Sequence, residues 1–129
     1  MSARSRFAVW AGCALLALTA MFHLSGLPTS ADVELTSGPE AFYNAALSAL
    51  WLSAGLHWLT IAVVCGLATK FPLALSKTIL KLCAAILLVD ALVLYGFIGP
   101  FIGTLAAATA AITFALGSVG KTGTQAAEN

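Results

Sequence analysis

Few residues in this chain can carry chemistry. Its 129 residues include five acids, two histidines and three cysteines. Asp90 is the unusual one. It sits in ILLVDALVLYG, residues 86–96, and the nearest charge on its N-terminal side is Lys81. An acid inside hydrocarbon costs about 2.5–3.5 kcal/mol on insertion scales, so it normally faces a partner and marks a working site by default. His23 and His57 are the candidate partners, because imidazole can donate, accept or carry a proton.

The elements that must position these groups follow from composition. The chain is 60% hydrophobic and 9% charged, against about 45–50% and about 25% in ordinary globular chains. The apolar residues fall in four blocks, 7–26, 42–67, 76–96 and 101–117. Each is long enough, or nearly so, to cross about 30 Å of hydrocarbon at about 1.5 Å per helical residue. Backbone groups in lipid must bond internally, so each block is expected to be a helix. The expected fold is all-α, an integral membrane four-helix bundle forming one transmembrane domain over 1–129. Residues 118–129 form a short polar tail.

The charges give an orientation. Arg4 and Arg6 precede the first block, Lys70, Lys77 and Lys81 surround the second connection, and Lys121 follows the fourth block. Asp32, Glu34 and Glu40 occupy the first connection, which carries no base. By the positive-inside rule both termini are cytoplasmic, in a membrane of the bacterial inner (cytoplasmic) type. The first block also has the form of a signal peptide cleaved after Ala31; an uncleaved anchor helix is the expectation.

Depth along each helix suggests which polar groups meet. Taking the centre of each block as the midplane, Asp90, His23, Ser48 and Thr104 all fall about 7–10 Å toward the outside. His57 falls inward of the midplane. The expected arrangement is therefore a polar intramembrane layer of His23, Ser48, Asp90 and Thr104, with Asp90 bonded to His23. Such a pair is either a clasp between helices or a proton site.

Two stripes repeat every four residues. Ala45, Ala49, Ser53 and His57 form one on the second helix, and predict that His57 faces other helices. Gly99, Gly103, Ala107, Ala111 and Ala115 form the other on the fourth. Small residues at this spacing let a neighbouring helix come close, either inside the bundle or from another subunit. Trp51 and Trp58 with His57 form a possible ligand-binding group, for which packing is the simpler explanation. Cys13, Cys65 and Cys83 form no C-x-x-C pair, so they read as small buried apolar residues, without a metal or disulfide role.

No paired carboxylates, phosphate loop or H-E-x-x-H motif is present, no cofactor class is indicated, and a net charge of +1 leaves no footprint for nucleic acid. Beyond the lipid bilayer, other membrane subunits or self-association are the expected partners. Three functions remain: a non-catalytic accessory or structural subunit in a larger complex or homo-oligomer; a small proton-linked transporter or channel using Asp90 and His23; and a binder of an apolar ligand such as a lipid, quinone or pigment.

Overall fold

The structure, a computed structural model, describes residues 1–26 and 39–119, with the side chains of 39–45 and 47 left aside. The acidic connection with Asp32 and Glu34, the side chains of Glu40 and Ala45, and the tail from Gly120 onward lie outside the described residues. Four helices follow one another: α1 (Ala3–Ser25), α2 (Pro39–Ala68), α3 (Leu73–Ile98) and α4 (Ile102–Val119). Each contains a stretch long and apolar enough to span a membrane, and no strand occurs among the described residues.

Helix α1 runs beyond its apolar block through Ala3–Arg6, and α3 runs beyond its block through the apolar residues Leu73, Ala74, Leu75, Phe97 and Ile98. Ser2 is the N-cap of α1, its side chain accepting from the Ser5 amide at 3.1 Å. Pro72 ends the turn between α2 and α3 and caps α3, where a missing N–H costs nothing. Gly99 closes α3 at φ 90°, a left-handed backbone that a side chain would strain. Helix α4 continues through Ser118, which is buried and so belongs to the bundle and not to a polar tail.

The helices form a ring in which α1 packs on α2 and α4, α4 packs closely on α3, and α2 touches α3 least. Helices α1 and α3 are not a packed pair. At the centre, Val9, Leu16, Leu80, Leu87 and Phe114 are fully buried. Around the outside, Phe7, Leu18, Val63, Leu92, Leu105 and Ile112 are among many large apolar side chains left exposed. An apolar girdle of this kind suits lipid and would be insoluble in water. In lipid the apolar effect no longer drives helices together, so close packing must. Gly12 provides it between α1 and α4, where an added Cβ would collide with Thr113 Oγ1 and the ring of Phe114.

The α4 stripe is mostly used inside this bundle. Gly103, Ala107 and Ala111 are buried, but Gly99 is only partly covered and Ala115 is exposed. The buried line runs instead through Ala110, Phe114 and Gly117. Four residues overshoot a full turn by about 40°, so a strict four-residue stripe winds around a straight helix. The α2 stripe departs further. Ala49, Ser53 and His57 are exposed, while Gly55, Trp58, Ile61, Ala62 and Cys65 make the buried face.

Candidate functional site

Asp90 projects from α3 toward α2, and its partner there is His57. The distance from His57 Nε2 to Asp90 Oδ2 is 3.1 Å. No hydrogen bond joins Asp90 to His23, Ser48 or Thr104. Thr104 Oγ1 donates instead to the Gly99 carbonyl at 3.2 Å, tying the start of α4 to the end of α3. The expected four-residue polar layer is thus replaced by a two-residue pair.

Two physical reasons account for the change. First, α2 is 30 residues long, more than a bilayer requires. A helix that exceeds the bilayer need not have its own centre at the midplane, and α2 is placed so that His57 lies at the level of Asp90. Second, the ring order separates α1 from α3, so His23 starts on a helix that Asp90 does not face.

The His57–Asp90 pair is not sealed in the core. The two side chains are 43% and 29% exposed. They sit where α2 and α3 part, on a groove of about 320 Å³ whose other walls include Leu50, Ala54, Trp58, Val93 and Leu94. Ser53 adds a hydroxyl to the same wall. His57 also borders a second shallow groove with Ala49, Leu56 and Thr60. Its facing of α3 partly meets the expectation drawn from the α2 stripe. Its exposure does not, because that stripe lies outside the packed face. Trp58 is buried and forms a wall of the Asp90 groove.

His23 has a partner of its own. Its ring stacks on Trp51, with centroids 4.0 Å apart and planes 12° from parallel. Trp51 Nε1 donates to the His23 carbonyl at 2.7 Å, and His23 Nε2 lies 3.1 Å from the Trp51 carbonyl. Trp58 approaches the same imidazole at 5.4 Å, tilted by 55°. Trp51 and Trp58 thus share the neighbourhood of His23, and of the two only Trp58 reaches the His57 groove. Trp51 reaches His23 because it lies on the part of α2 that is level with the end of α1.

Known protein families, curated proteins and solved structures offer no match to this chain. Its function therefore has to be read from its own residues. The three cysteines are buried in the shared core of α1, α2 and α3. Among the described residues no group of three His, Cys, Asp or Glu side chains is arranged to hold a metal ion. Among the described residues, polar chemistry meets an open apolar surface at the α2–α3 groove, and also where Thr19, His23 and Ser25 line a cavity of about 290 Å³ with Phe22, Trp51 and Phe101.

Proposed function

We propose that this small membrane protein binds a lipid-soluble molecule in the groove between α2 and α3, with the polar end of that molecule on His57 and Asp90. One observation carries the reading. Among the described residues, the pair makes a single mutual hydrogen bond, so His57 Nδ1 and Asp90 Oδ1 remain open beside apolar walls. Polar atoms left unmet in hydrocarbon are costly, and a few polar groups in a mostly apolar cleft are the usual make-up of a ligand site. The site is lateral, so the ligand arrives through the bilayer. The orientation that goes with this reading has both termini on the cytoplasmic side of an inner-type membrane, from the grouping of the bases.

The test is extraction of the full chain with its lipid annulus into polymer-bounded discs, followed by mass spectrometry of the small molecules retained. One lipid-soluble compound should be enriched over the bulk membrane, and Asp90→Leu should lose it while circular dichroism stays unchanged. Equal retention by both proteins defeats the reading.

A second reading has its own observation. Leu50 and Val93 make the lips of the same groove apolar and exposed. A helix of another membrane subunit, or of a second copy, would cover the pair equally well. The chain would then be a non-catalytic accessory or structural subunit. In that case the discs contain a second polypeptide or two copies of this one, and Asp90→Leu releases it.

A further inference from the structure

We propose that an anionic phospholipid occupies a second groove, between α1 and α2, with one acyl chain along the groove and its phosphate on Lys70. The proposal is independent of the α2–α3 groove. Its starting point is the way the two helices run. The end of α1 meets the first half of α2 through His23 and Trp51. Near the start of α1, Trp10 lies on Gly66, close to the end of α2, where an added Cβ would come within 3.4 Å of the indole. The helices are therefore antiparallel, and the start of α1 shares one end of the bundle with the end of α2.

Towards that end small residues on both helices, Ala14 and Ala17 of α1 and Ala62 and Gly66 of α2, leave a trough of about 460 Å³. Its lining on α2 runs from Leu59 to Leu67, about 12 Å at the helical rise, and ends at Lys70. A trough along two spanning helices lies in the direction of the acyl chains around it. Helices in lipid are held by close packing, so a chain seated here supplies contacts that the two helices do not give each other.

Lys70 supplies the selectivity. It is exposed in the turn after α2, where its stem lies along apolar surface and its ammonium reaches the headgroup level. Among the described residues the only acid with a described side chain is Asp90, and it is bonded to His57, so Lys70 has no carboxylate beside it there. Arg4 and Arg6 stand at the same end of the bundle, in the first turns of α1. A zwitterionic choline head brings a cation of its own to these bases, whereas a head with net negative charge does not. The outer wall fits a lipid with two chains: Val63 and Leu67 line the trough and are also exposed, which gives the second chain an apolar surface that a free fatty acid would leave uncovered.

The wall residue Trp10 makes the test direct. The full chain is reconstituted into vesicles of equimolar phosphatidylglycerol and phosphatidylcholine, with bromine in the chains of one lipid or of the other. Quenching of the Trp10 fluorescence reports which lipid lies in the trough, and Trp10→Phe measured in parallel subtracts the signal of Trp51 and Trp58. Brominated phosphatidylglycerol should win by about five-fold in apparent affinity, the usual worth of one lysine beside an anionic lipid. Lys70→Ala should bring the preference below about two-fold on the same scale, and Lys70→Arg should keep it. Lys77→Ala, a base of α3 outside this groove, should leave it unchanged. Ala14→Phe, at an exposed position in the trough, should lower quenching by both lipids.

Equal quenching by the two phospholipids in the native protein overturns the proposal. A preference that survives Lys70→Ala places the selectivity elsewhere and also overturns it. A brominated fatty acid in the same vesicles forms the third arm: quenching by it above that by phosphatidylglycerol at equal mole fraction makes the occupant a single-chain acid and overturns the phospholipid assignment. None of these outcomes bears on the His57–Asp90 groove, which the retained-molecule measurement decides.

Discussion

The imidazole of His23 lies flat on the indole of Trp51 at 4.0 Å, and two hydrogen bonds between the residues cross from α1 to α2. Each residue offers one ring nitrogen and one backbone carbonyl, so both helix backbones are engaged. The clasp occupies the end of the bundle where α1 finishes. It holds α2 in register with α1.

Removing half of that clasp should be measurable. Trp51→Phe keeps a ring for stacking but loses the Nε1–H donor, which should cost about 1 kcal/mol. Trp51→Leu loses the stack as well and should cost about 2 kcal/mol. Steric-trap unfolding in bicelles provides the readout. Two variants as stable as the native chain would show that the clasp contributes nothing.

Gly103→Leu should damage the bundle itself. A Cβ at Gly103 already approaches the Phe101 ring at 2.6 Å and Trp58 at 3.5 Å. A leucine there must displace both, at a cost of about 1–3 kcal/mol. Leu105 is 62% exposed to the lipid side, and Leu105→Ala should change stability by less than about 0.5 kcal/mol. The comparison by thermal denaturation in detergent fails if the two variants melt together.

Gly12 and Gly96 form a second contrast. A side chain at Gly12 meets Thr113 and Phe114, whereas one at Gly96 has nothing within 4 Å. Gly12→Val should separate α1 from α4 and lower the melting point clearly. Gly96→Ala should be neutral or stabilise by up to about 1 kcal/mol, since glycine inside a helix is weaker than alanine. A stabilising Gly12→Val would refute the close α1–α4 contact.

Asp90→Leu should leave the fold intact, with a stability change no larger than about 1 kcal/mol, because replacing one side of a polar pair by an apolar residue at a lipid-facing groove removes a desolvation cost along with a bond. His57, already 43% exposed, keeps access to its surroundings. Unfolding of this variant on extraction would mean that the pair is a clasp essential to the bundle.

The orientation is open to chemical labelling. Cysteine placed at Ser37 should react with an impermeant maleimide from outside intact cells. Cysteine at Phe71, exposed in the α2–α3 turn near the bases, should react only after lysis. The native cysteines are buried, so the background is low. Reaction of the Phe71 variant in intact cells reverses the topology.

By itself the sequence determined that there are four helices and that they belong in a membrane. Length and hydropathy suffice for that, because lipid denies the backbone any partner but itself. It also marked Asp90 as the group requiring explanation. It did not determine the partner. Choosing between His23 and His57 required the vertical offset of α2, whose 30 residues exceed the bilayer, and the ring order that keeps α1 away from α3. Neither is a property of one helix. The small stripes illustrate the same limit. Spacing of four places Gly103 and Ala107 on the packed face of α4, yet Ala115 and Ser53 are exposed, because a helix turns every 3.6 residues and its neighbours decide which arc is covered. Offset and neighbourhood arise only when the helices pack, and they put the acid of α3 and the histidine of α2 on one open groove.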